Sequence, residues 1–162
     1  MPVKKLTGMA LLVAIGIGMG VFSVPVGGAR IFPVQHAINV IAAVLYGPLP
    51  AMLIAFCVAA LRVALATGTI MAFPGGMIGA LTAGIIYRVT GSKSYAAVGE
   101  VFGTGVIGAV AAFPLARFVL GRDVLAFTYI IPFAISSLAG ATMGLVLLRV
   151  LDMTLQRQIE RV

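Results

Sequence analysis

The chain has 162 residues, of which 62% are hydrophobic and 9% charged, with a formal net charge of +7 and a mean hydropathy of +1.19. Soluble domains carry about 25% charged residues, and one this small leaves too much surface in water to hide so many apolar side chains. A water-soluble enzyme or binding module is therefore excluded, and the basic residues, scattered at the ends of apolar runs, point to membrane topology and lipid headgroups rather than nucleic acid.

The composition predicts an all-α integral membrane protein, one domain over residues 1–162. Backbone polar groups in hydrocarbon must pair within the chain, which leaves helices or a closed barrel. The apolar runs are continuous and lack the two-residue alternation of barrel strands. Six transmembrane helices in a compact bundle are expected, at 6–24, 35–47, 49–66, 75–89, 94–116 and 126–150.

The first span follows Lys4 and Lys5. Gly27-Gly28-Ala29 would serve as a signal-peptidase site, but the run from Leu6 to Val24 is long for a signal peptide and reads as a retained helix. Pro25, Gly27, Gly28 and Pro33 break the first connection, and Gly47-Pro48-Leu49-Pro50 makes a tight second one. Spans two and four are short beside the ~20 residues a crossing needs, so they are expected to be sheltered or extended. The single cysteine, Cys57, has no partner for an intramolecular disulfide and reads as a small packing residue.

With the amino terminus inside, the cytoplasmic ends hold Lys4, Lys5, Arg88, Lys93, Arg149, Arg157 and Arg161, and the outer ends hold Arg30, Arg62, Arg117 and Arg122. The positive-inside bias thus predicts both termini in the cytoplasm. Tyr46, Tyr87 and Tyr95 then fall together at the inner interface, where a ring is buried and its hydroxyl stays wet.

Scarce polar groups gather in one outer stretch, Gly27-Gly28-Ala29-Arg30-Ile31-Phe32-Pro33-Val34-Gln35-His36-Ala37-Ile38-Asn39, which holds the only histidine. Asn39 shares a helix face with Gln35 and His36. Amide and imidazole groups offer donor and acceptor together, which suits a small neutral ligand with a ring nitrogen and a hydroxyl; the alternative is that they cap span two. Thr69 and Phe73, in the glycine-rich third loop on the same side, would add a hydroxyl and a ring. Arg62 and Glu100 are intramembrane charges, which usually face a bundle interior. Glu100 and Thr104 share a face in span five, at the floor of the site or in a structural role, while Arg62 has the option of snorkelling to the interface. Three stripes of small residues would allow close helix approach: Ala10-Ala14-Gly18, Ala51-Ala55-Ala59 and Gly75-Gly79-Ala83.

No phosphate-binding loop, zinc motif or cysteine cluster is present, so no metal, cofactor, catalytic residue or built-in means of uphill transport is expected. The chain resembles the substrate-binding S components of energy-coupling factor (ECF) vitamin transporters, and among them the ThiW family. Four stretches carry the resemblance: Ser23-Val24-Pro25-Val26-Gly27-Gly28-Ala29, Phe32-Pro33-Val34-Gln35-His36, Gly68-Thr69 with Ala72-Phe73-Pro74-Gly75, and Gly99-Glu100 with Gly103-Thr104-Gly105. The resemblance implies a cell-membrane protein without ATPase activity. It would bind a thiamine precursor such as hydroxyethylthiazole from outside and dock on a transmembrane coupling protein carrying two ATPases. The family's coupling motif maps onto Ala10 and Ala14, with Gly18 continuing the stripe, and the Ala51-Ala55-Ala59 ridge competes with it. The other readings are an S component for another vitamin, a self-sufficient channel or facilitator, and a small membrane enzyme or assembly factor.

Overall fold

The computed structural model describes residues 3–26 and 29–159; Gly27, Gly28, Arg161 and the side chains of Arg30 and Arg157 lie outside the described part. Among the described residues the chain runs through six helical segments and one strand pair. Helix α1 (Val3–Gly18) continues into a 3-10 turn at Met19–Val21. Strands β1 (Val24–Val26) and β2 (Ala29–Ile31) pair antiparallel with Val24 opposite Ile31. Helices α2 (Pro33–Tyr46), α3 (Pro48–Ala64) and α4 (Ala72–Thr90) follow. Helix α5 (Lys93–Val119) is interrupted by π-helical turns at Gly103–Gly108 and Leu115–Val119, and α6 (Ile130–Ile159) closes the fold.

Among the described residues three helices are long and apolar enough to cross a membrane, at Ala72–Thr90, Lys93–Val119 and Ile130–Thr154; Pro33–Tyr46 and Pro48–Ala64 are apolar but shorter. The two spans expected to be short resolve differently. Helix α4 starts earlier than expected and reaches 19 residues, because Pro74 sits within its first turn, where no intrahelical N–H bond is lost. Helix α2 has only 14 residues, about 21 Å at 1.5 Å per residue. It avoids mismatch by burial: Gln35 to Val40, Ala42 and Ala43 are all buried between α3, α4 and α6. Pro33 and Pro48 open α2 and α3 at the first helical position, where their fixed φ suits a helix start. The first span ends well short of residue 24, and the connection after it contains the hairpin, which its turn residues alone did not announce.

The three small-residue stripes separate cleanly. Ala51, Ala55 and Ala59 are 0–1% exposed, and Gly75, Gly79 and Ala83 are buried as well, so both stripes are spent on internal packing. Ala10, Ala14 and Gly18 are exposed. Cys57 is a correction: it is an exposed free thiol on the outer face of α3, not a packing residue.

Candidate binding site

Where α2, α4 and α6 begin and α3 ends, the bundle opens into a pocket of about 500 Å³, its mouth included. Phe32, Met71, Pro132 and Phe133 supply apolar wall; Gln35, His36, Arg62, Thr69, Thr104 and Ser136 supply polar groups. On the α4 side the lining is Ala72, Gly75 and Gly76, one helix face at the spacing i, i+3, i+4.

Beneath the pocket lies a buried polar layer centred on Glu100, which is 0% exposed. Its Oε1 accepts from His36 Nδ1 at 2.8 Å, Asn39 Nδ2 at 3.0 Å and Thr104 Oγ1 at 2.9 Å. Asn39 Nδ2 also donates to the Gly76 carbonyl at 3.1 Å, and Thr104 Oγ1 lies 3.0 Å from the Gly75 carbonyl. This layer ties α2, α4 and α5 together through groups that would be costly to leave unpaired. Glu100 Oε1 accepts from Asn39 and Thr104 as well, so the His36 contact is a donation from Nδ1, and Nε2 makes no hydrogen bond among the described residues. Gly79 is what lets the layer form. A Cβ there would lie 2.6 Å from Glu100 Oε2 and overlap Thr104 Oγ1.

The second polar centre is Arg62, 1% exposed. Its Nη1 donates to Gln35 Oε1 at 2.7 Å, its Nη2 donates to the Thr67 carbonyl at 3.1 Å, and its guanidinium carbon lies 4.0 Å from the Phe32 ring centroid. The backbone bends to meet it: Ala66 adopts a left-handed φ of 56°, and the Thr67 and Gly68 N–H groups return to the Arg62 carbonyl. Arg62 therefore turns inward rather than snorkelling to the interface. Phe32 is held from the other side by Ser136, whose Oγ accepts from the Phe32 N–H at 2.9 Å.

A family profile described as thiamine-precursor transporter protein (ThiW) matches residues 6–154, most of the chain. The chain belongs to the ThiW family. No curated protein and no solved structure matches it. Membership in a transporter family, together with the apolar helices, describes a membrane protein that handles a small thiamine precursor.

Against this ThiW-family frame, the residues singled out in the sequence divide by depth. Phe32, Gln35, His36, Arg62, Thr69 and Thr104 line the pocket. Asn39 and Glu100 lie one layer below, holding the lining in place. Phe73 is turned away and packs against Phe56 at a centroid distance of 5.6 Å. The early start of α4 explains this: Ala72, Gly75, Gly76 and Gly79 form the face turned inward, and Phe73 falls off it. The Arg30 side chain lies outside the described part. None of Gln35, His36 or Asn39 caps α2, which starts from Phe32 without a side-chain cap. Pro132, Phe133 and Ser136 were missed as lining. Their signal was the shared face of Phe133, Ser136 and Gly140, which the connection before α6 obscures.

Proposed function

We propose that this ThiW-family chain is the substrate-binding S component of an ECF-type importer in the cell membrane. It crosses the membrane six times with both termini cytoplasmic, captures hydroxyethylthiazole from the outer side, and docks on a coupling protein with two ATPases. The observation that carries this reading is the pocket itself: apolar and aromatic walls, a few fixed polar groups and a mouth at the end of the bundle that the charge distribution assigns to the outside. Phe32 and Phe133 offer ring surface for a flat heteroaromatic, and a ligand hydroxyl has polar partners in Gln35, His36, Thr69 and Thr104. The exposed Ala10-Ala14-Gly18 stripe is the docking face this reading requires, since the competing ridge is buried.

Calorimetry with hydroxyethylthiazole, hydroxymethylpyrimidine and thiamine, alongside mass spectrometry of small molecules that copurify, tests the ligand. The thiazole is expected to bind tightest. Failure of all three to bind would sink the thiamine-precursor assignment for this pocket.

A further inference from the structure

The pocket wall has an unbalanced charge. Among the described residues Arg62 is its one permanently charged lining residue, and no Asp or Glu lines it. The guanidinium has five N–H groups, of which two make the hydrogen bonds described above, both to neutral acceptors. Its Nε is buried without a partner, and no carboxylate pairs with it among the described residues. The nearby acid, Glu100, lies behind the wall; three donors meet its Oε1, and its Oε2 is buried without a partner. The face of Phe32 turned to Arg62, where an aromatic ring would otherwise hold a cationic ligand, is already covered by the guanidinium.

We infer that Arg62 makes the pocket a charge filter that admits neutral and anionic rings and rejects cationic ones. A second cation in the pocket would meet the like charge of Arg62 at the wall itself, with no carboxylate on the wall among the described residues and Glu100 a layer further back, so the nearer charge decides. Within the ligand class proposed above, on which this inference rests, the free thiazole enters and a thiazolium does not. The site would therefore serve the precursor ring before its nitrogen is quaternised and would exclude products that carry the fixed positive charge.

Two probe pairs test this on the full chain in lipid nanodiscs. The first is hydroxyethylthiazole against its N-methylthiazolium, read by calorimetry. The wild type is expected to bind the cation at least about tenfold more weakly. Arg62→Lys keeps that preference and Arg62→Gln removes it, which separates charge from the bulk of the added methyl. Thr69→Asp sets a carboxylate on the wall and leaves Arg62 untouched; it narrows the gap and carries the test if Arg62→Gln does not fold. Equal binding of the two rings by the wild type, or a preference that persists through both Arg62→Gln and Thr69→Asp, overturns the inference.

The second pair, benzoate against benzamidinium, reads charge selection without any thiazole. If neither thiazole binds, the ligand proposal falls, and the filter is judged on melting temperature alone. Stabilisation by benzoate only, lost in Arg62→Gln or Thr69→Asp, supports it. Stabilisation by benzamidinium, or by neither ring, overturns it.

Discussion

Helices α4 and α5 approach closely, and Gly79→Ala probes their contact with a single methyl group. The added Cβ would overlap Thr104 Oγ1 and sit 2.6 Å from Glu100 Oε2 and 2.8 Å from Glu100 Cδ. Neither side chain has solvent to retreat into, since Thr104 is 1% exposed and Glu100 is 0% exposed. Overpacking a tight core costs about 1–3 kcal/mol, and pushing the Thr104 hydroxyl off Glu100 costs about 1–3 kcal/mol more. Alanine's better helix propensity returns about 0.5–1 kcal/mol. A net loss of about 1–5 kcal/mol is expected, which for a chain of this size lowers the melting temperature by roughly 2–20 °C. Because Thr104 also lines the pocket, ligand affinity should fall at the same time.

Thermal unfolding of the purified protein in detergent measures the loss. Gly18→Ala is the matched control, since a Cβ there meets nothing within 4 Å and the backbone is already helical. It should be neutral or slightly stabilising. If Gly79→Ala melts with Gly18→Ala, the polar layer is not wedged against the α4 backbone and the reasoning is wrong.

Two further outcomes follow from the same geometry. Asn39→Ala removes the donor shared by Glu100 and the Gly76 carbonyl, so it should destabilise the fold by about 1–3 kcal/mol in denaturation experiments, with any loss of affinity following from that. A variant as stable as wild type but weak in calorimetry would instead make Asn39 a direct ligand contact. Ala14→Trp, on the exposed stripe of α1, should leave ligand affinity intact and, under the S-component function proposed above, abolish copurification with a coupling protein and ATP-dependent uptake; normal assembly and uptake would remove α1 as the docking face.

Much of this was legible in the chain because it depends on composition and local period. The scarcity of charge and the long apolar runs dictate helices in lipid whatever their neighbours are. The spacing of Gln35, His36 and Asn39, and of Glu100 and Thr104, already sets each group on one helix face. Capping was the competing reading of the first group, and the structure removes it: Phe32 holds the N-cap position of α2, with no side-chain cap.

What the tertiary structure alone decided is how those faces are turned and how deep each residue lies. Period assigns residues to a face but does not say which neighbour the face meets. Asn39 and Glu100 became the layer beneath the pocket, and Phe73 left the lining, because α4 begins at Ala72 and turns its glycines inward. Arg62 turned inward because Gln35 and Phe32, from the start of α2, and the Thr67 carbonyl, from the turn after α3, meet its guanidinium there. Three stripes of small residues look alike in one dimension. Only packing distinguishes the two that are consumed by neighbouring helices from Ala10-Ala14-Gly18, which remains exposed, since close approach is a property of two surfaces and a sequence displays one at a time.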